Sequence, residues 1–392
     1  MKSNYDLLGN HIRLIDNRNK DLVTEQVLGI NIDKFFMPSV ANVIGTDLSK
    51  YKLIQKGNFA CNPMHVGRDE RLPVALYSED TPAIVSPAYF MFEIKDATVL
   101  NADFLMMWFR RPEFDRICWL HTDGSVRGGI TWEDICRMEI PVPPIDEQIE
   151  IVSSYQAITE RIKLKKQIND NLEATAMAIF KSWFVDYEPF ELNDDGFPLD
   201  WEQTTLNKKL TTSTQSVNPQ KIQDDYVWHY SIPAFDNEKL PTKDIPTSIL
   251  SNKYLVPDNA ILVSKLNPDT KRIWRTMSCF ENAICSTEFI VFSPLIPSHR
   301  AFYYLMFNTK GFVDFLVSNA TGSTNSRMRV KPTSSLDYEF VCPSDGIIED
   351  FCKKVEPLLT EIEKNTLEIR KLNELKPFAV AKMMTSSRKI IV

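Results

Sequence analysis

The sequence predicts an α+β protein: two mixed α/β domains separated by two long helices that pair as a coiled coil. Three observations carry this reading. The chain has 392 residues, enough for two or three domains with cores of their own. Its middle stretches occur twice in the same order. Each copy is followed by a long segment with apolar residues in alternating steps of four and three. Hydrophobic content of 43% and 25% charged residues are ordinary for a globular chain.

The duplication runs through several matches at nearly constant separation. IVSPAYFMF at 84–92 matches ICSTEFIVF at 284–292, and FLMMWFRRPEF at 104–114 matches FYYLMFNTKGF at 302–312. Gly124 and Ser125 fall on Gly322 and Ser323, and Leu53, Ile54 and Phe59 fall on Leu255, Val256 and Ile261. Strands are expected at 59–62, 73–77, 84–92, 261–265 and 284–292, and helices at 102–118 and 301–317, with Gly, Pro, Asn and Ser clusters between them.

The first heptad seam runs Ile151, Tyr155, Ile158, Ile162, Lys165, Asn169, Leu172, Ala176, Ile179, Trp183. The second runs Ile348, Phe351, Val355, Leu358, Ile362, Asn365, Ile369, Leu372, Lys376, Ala379. An average spacing of 3.5 over four to five heptads is the coiled-coil period, and the Asn and Lys in each seam give up packing to set register. Asp146, after Pro143 and Pro144, is the expected N-cap of the first helix. Pro357 predicts a kink or a late start in the second, since proline inside a helix costs about 3 kcal/mol. About 40 residues of helix reach roughly 60 Å; an antiparallel pair would leave the two repeats at opposite ends. The alternative is two helices each packed on its own domain. The expected divisions are a first domain at 1–144, a long helix at 145–185, an acidic linker at 186–200, a second domain at 201–343, a second long helix at 344–386 and a tail at 387–392.

Several chemistries have no signal. There is no GxGxxG or GxxxxGKS/T loop, and none of the Asn-Pro dipeptides (Asn62-Pro63, Asn218-Pro219, Asn267-Pro268) continues into the Pro-aromatic motif of an amino-methyltransferase. His11, His65, His121, His229 and His299 lie far apart with no metal-ligand spacing, and no GxSxG elbow is present. A serine triad built from distant partners stays open. No metal is expected. The seven cysteines are odd in number and contain no CxxC pair, which disfavours disulfides and structural zinc. With no long apolar span and no signal-peptide core in MKSNYDLLGN, a cytoplasmic protein without membrane contact is expected.

Binding chemistry remains. The net charge of −7 disfavours a polyanion at first sight, but the segment Asp186 to Glu202 alone carries seven acids and no Lys or Arg. Cations cluster elsewhere. VSKLNPDTKRIWR at 263–275 presents Lys265, Asn267, Lys271, Arg272 and Arg275, and GSTNSRMRVKP at 322–332 presents Ser323, Asn325, Ser326, Arg327, Arg329 and Lys331. The first-repeat counterparts are NPMHVGRDER at 62–71, with Asn62, His65, Arg68 and Arg71, and the loop bearing Arg127. Arginine and lysine suit phosphates and guanine edges, and asparagine suits adenine. A solvated basic loop and a small-phosphate nest are the competing readings. A position that is polar and basic in both repeats favours nucleic acid. Trp274 and Tyr89 are expected in the core or on a shelf.

The residues IPVPPIDEQIEIV, followed by a long helix ending AIFKSWFVDYEPF, resemble the specificity subunit of Type I restriction-modification systems. SKLNPDTKRIW, ICSTEFIVF and GSTNSRMRV also resemble stretches of that family's target-recognition domains, and the likeness covers nearly the whole chain. The resemblance implies a non-catalytic DNA-binding subunit whose two target-recognition domains each read one half of a split, asymmetric duplex target. It implies that the two long helices pack antiparallel, forming a coiled coil that sets the spacing, and dock two methyltransferase subunits, with restriction subunits joining the complex. Cofactors would then lie on those partners (S-adenosylmethionine, ATP and Mg) and none on this chain. A helix pair of roughly 50–60 Å corresponds to about 15 base pairs at about 3.4 Å each. The start of the second helix, CPSDGIIEDF, departs from the family's Pro-x-x-Glu-Gln pattern. The rival readings are a coiled-coil scaffold or adaptor that binds only proteins, and a stand-alone methyltransferase or nuclease.

Overall fold

A computed structural model describes residues 5–40, 45–64, 66–122, 128–322 and 328–385. The chain divides into two compact units, 1–162 with 371–392 and 163–370. The boundaries therefore cut through both long helices rather than falling where those helices begin, as the sequence divisions had placed them.

The units repeat one topology. In the first, an antiparallel sheet orders the strands Ile12–Ile15, Phe90–Ile94, Phe59–Cys61 and Val74–Leu76. In the second, the same order is taken by Leu210–Ser213, Phe289–Pro294, Ile261–Ser264 and Ile273–Arg275. The other sheet of the first unit orders Phe36–Pro38, Val27–Ile30, Ala83–Val85 and Lys52–Ile54, with one parallel pair between Val27–Ile30 and Ala83–Val85. The second unit repeats it with Thr242–Asp244, Val227–Tyr230, Ala283–Cys285 and Lys253–Leu255, and adds Ser216–Val217 at the edge. That edge strand has a vestige in the first unit, the single bridge between Arg18 and Lys52. Register agrees as well. Phe59 faces Phe92 as Ile261 faces Phe292, and Leu53 faces Ile84 as Leu255 faces Ile284.

Two elements differ from expectation. The strands at 84–92 and 284–292 are each broken in two, and the halves belong to different sheets. Ser86 and Ser286 turn the chain. Their side-chain oxygens accept from the amides of Ala88 and Glu288, and their carbonyls from Tyr89 and Phe289. The helices at 102–118 and 301–317 are also pairs: Ala102–Phe109 with Pro112–Leu120, and Arg300–Phe307 with Lys310–Ser318. Pro112 occupies the first turn of its helix, where its missing amide costs nothing. Thr309 restarts the other by accepting from the Phe312 amide.

Each core forms between a sheet and these short helices. In the first unit Phe59 stacks on Phe92 at 5.1 Å and meets Phe109 edge-on, all essentially sealed from solvent. Fully burying one such side chain stabilises by about 1.5–3 kcal/mol. In the second unit Phe180 and Phe184 of the first long helix pack with Phe302 and Phe351. Trp274 is buried in the second unit and Tyr89 is half-buried.

The long helices span Ile145–Phe184 and Asp345–Thr385. Their contacts run in opposite directions within each unit. In the second, Lys165 meets Asn365 while Phe180 and Trp183 meet Phe351; in the first, Tyr155 meets Lys376 and Val380 joins the core containing Ile151. Ile151, Ile162, Ala176, Phe351, Val355 and Ile369 are buried, and Tyr155, Ile158, Leu172, Ile179, Leu358, Ile362 and Leu372 half-buried. The polar seam residues satisfy one another. Lys165 Nζ donates to Asn365 Oδ1 at 2.6 Å, Asn365 Nδ2 to Asn169 Oδ1 at 2.9 Å, and Asn169 Nδ2 to Thr366 Oγ1 at 3.3 Å. Glu368 closes the chain 3.1 Å from Lys165. A one-turn slip would strand these groups in an apolar seam, which penalises the wrong register.

Three sequence expectations change here. Pro357 neither delays nor ends the second helix, which begins at Asp345 and continues through both Pro357 and Pro377. Both prolines are exposed, so water can take the carbonyls they free. Asp146 is not the cap but a first-turn residue, because the helix begins one residue earlier. The acidic segment 186–200 is packed rather than a free linker. Tyr187 and Phe190 pack against Trp201, Phe190 also meets Trp183, and Leu192 bridges Pro198.

The departure at the start of the second helix also has an explanation. Gln148 is fully buried. Its Nε2 donates to the carbonyls of Val99 and Pro143, and its Oε1 accepts from the Asn101 amide. The matching Ile348 is equally buried but lies in an apolar core.

Candidate nucleic-acid interface

The two basic stretches of the second repeat, far apart in sequence, meet in space. The Asn267 amide donates to Met328 O at 2.8 Å and the Val330 amide to Lys265 O at 3.0 Å. Asn267 adopts φ +47°, a left-handed conformation asparagine tolerates, and its carbonyl accepts from the Thr270 amide. Arg329 exchanges amide–carbonyl bonds with Thr321, which makes the loop two-ply. Extended backbone alternates its side chains: Val330 is buried while Arg329 and Lys331 are exposed.

The first unit builds the same junction. Gly67 donates to Gly128 O at 2.9 Å and Ile130 to Pro63 O at 3.1 Å. The approach is so close that a Cβ on Gly129 would lie 3.0 Å from the Pro63 carbonyl oxygen. Asn62 shapes this turn by accepting from the Met64 amide.

The cations differ in availability. Lys271 and Lys331 are exposed and make no ion pair among the described residues. Lys265 is half-buried at the junction. Arg329 is exposed but held by both carboxylate oxygens of Glu288, at 3.0 and 3.2 Å, which stabilise its charged form and raise its pKa. Arg68 is paired with Asp69 in the same way, and Arg71 with Asp33 at 2.9 Å. Arg272 is mostly buried and grips Asp236 through two bonds, at 2.7 and 2.9 Å, holding that carboxyl below its usual pKa. His65, Arg127, Ser323, Asn325, Ser326 and Arg327 lie outside the described residues.

Comparison with known proteins places this architecture. No family model matches the chain. The specificity subunit of the Type I restriction enzyme MjaIX of Methanocaldococcus jannaschii is 23% identical over 283 residues, which cover 66% of this chain and 64% of that subunit. The corresponding subunit of the HindI enzyme of Haemophilus influenzae is 21% identical across 90% of this chain and 91% of its own length. This chain is a relative of Type I restriction specificity subunits. Their fold is shared too. The S subunit of a Type I restriction-modification system from M. genitalium superposes over 98% of this chain and 99% of its own, with a TM-score of 0.61 at 13% identity.

In this relative of the specificity subunits, one residue chosen from the sequence as a DNA contact has another task. Arg275 is only 9% exposed and donates to Glu363 at 2.5 Å and to Glu356, both on the second long helix. A guanidinium so enclosed cannot also reach a phosphate. Glu288, which holds Arg329, was missed from the sequence. Its only signal there was the one acid inside the ICSTEFIVF match. Among the described residues no group of three or more His, Cys, Asp or Glu could hold a metal ion, and no helix is long and apolar enough to cross a membrane.

Proposed function

We propose that the chain is the DNA sequence-recognition subunit of a Type I restriction-modification complex. Each unit's loop junction reads one half of a bipartite, asymmetric duplex target, and the long helices dock two methyltransferase subunits, with restriction subunits completing the assembly. The observation that carries this reading is the repeated junction: the same pair of amide–carbonyl bonds presents different polar and basic residues in the two units. Different residues on one scaffold suit two unrelated half-sites, unlike the palindrome read by a symmetric dimer. Lys265, Lys271, Arg329 and Lys331 are the proposed phosphate or base contacts of the second half-site, and Asn267, Ser323, Asn325, Ser326 and Arg327 are proposed to serve the same half-site. Asn62, His65, Arg68, Arg71 and Arg127 serve the first. Arg272 acts there only if it leaves Asp236.

The chain itself performs no catalysis in this reading. S-adenosylmethionine, ATP and Mg belong to the partners, which act in the cytoplasm and flip the target base from the duplex. Genome-wide mapping of methylated adenines in the host, with and without this gene, tests the proposal. A split, asymmetric motif lost on deletion is the expected result. An unchanged methylation map would leave the protein-binding scaffold as the better reading.

A further inference from the structure

The hairpin that carries Lys265, Asn267 and Lys271 is anchored at its base by a charged cluster. Its returning strand, Ile273–Arg275, ends in an arginine whose guanidinium bridges Glu356 and Glu363. These acids are two helical turns apart on one face of the second long helix. Beneath them Arg300 is buried and donates to the carbonyls of Thr276 and Ala260, the residues that close the base of the same hairpin. Burial pulls the Arg300 pKa down to about 10 and pushes that of Glu363 up, so the cluster is substantially desolvated. Loss of one partner would leave uncompensated charge. Among the described residues the first unit has no equivalent. Ile261 faces Arg275 as Phe59 faces Leu76, so the matching position is apolar.

We propose that Arg275, with Glu356 and Glu363, is a positioning clamp that locks the reading hairpin of the second unit to the long helix and so sets how strictly the complex measures the distance between half-sites. This rests on the DNA-recognition reading above. The clamp touches no base, so it should govern spacing and leave base preference alone. Adding one base pair to the spacer displaces a half-site by about 3.4 Å along the duplex. A rigidly held hairpin rejects that displacement and a loosened one follows it.

The test uses the full chain assembled with its methyltransferase partner, and synthetic duplexes carrying the mapped target with the native spacer or one base pair more or less. Wild type is expected to lose about a hundredfold in methylation rate at either altered spacing, the scale of a misplacement of an ångström or more. Arg275→Met should shrink that ratio by about tenfold or more, one decade of the discrimination that positioning supplies. It should keep the same order of preference among single-base changes in the second half-site. Glu363→Gln, which keeps the bond to Glu356, should give an intermediate ratio, and it carries the test if Arg275→Met fails to fold by circular dichroism. A folded variant that retains the full spacing ratio overturns the clamp, and so does one that slows methylation equally at every spacing. If wild type methylates no specific sequence, the DNA reading itself fails and the clamp falls with it.

Discussion

Arg329 and Glu288 pose the sharpest question at the scale of single residues. The arginine is exposed and well placed, yet both carboxylate oxygens of Glu288 hold it. Binding a phosphate means exchanging one anion for another. Glu288→Gln should therefore tighten sequence-independent DNA binding, while Arg329→Ala should weaken it and lower the slope of log affinity against log salt by about 1. Fluorescence anisotropy of the assembled complex across a salt series reads both. Equal slopes for wild type and Arg329→Ala would remove this residue from the interface. Charge was legible in the sequence; availability was not. Arg272 and Arg275 looked alike as members of one basic stretch, but Asp236 lies 36 positions from the first and Glu356 81 from the second.

The long helices are the elements the sequence described best, because a heptad repeat is local and each turn restates it. Their exact starts were less legible. Pro357 argued for a kink or a late start; the late start does not occur and the helix passes through the proline, since packing of Phe351, Val355 and Leu359 outweighs a local penalty. That penalty should still be measurable. Pro357→Ala restores an amide that can bond to the Lys353 carbonyl and should stabilise the second unit, by up to about 3 kcal/mol. Urea denaturation followed by the helical circular dichroism signal would reveal it, and a destabilised variant would mean that the proline's shape is itself required. The broken strands at 84–92 and 284–292 show the opposite weakness. A run of apolar residues reads as one strand, whereas the serine turn that sends its halves into different sheets is a matter of a few hydrogen bonds.

For the molecule as a whole, the two units should respond differently to acid. His229 and His299 both lie in the second unit, and burial lowers the pKa of each despite Asp244 beside the first and Asp345 and Glu349 near the second. A histidine with a lowered folded pKa contributes stability that is present above its unfolded value of 6.5 and is lost as pH falls towards the folded one. Hydrogen exchange should accordingly show the second unit loosening below about pH 6.5 while the first holds until its carboxylates protonate. Replacing both histidines with glutamine should remove that step; if it persists, other groups are responsible. By itself, the sequence determined the duplication, the heptad seams and the absence of nucleotide and methyltransferase loop motifs, because those features are written in neighbouring residues. Only the tertiary structure decided that the basic stretches 263–275 and 322–332 form one junction, that the acidic segment is packed, and that Arg275 serves the helix instead of the surface. Each of those outcomes depends on a partner brought close by folding and distant along the chain.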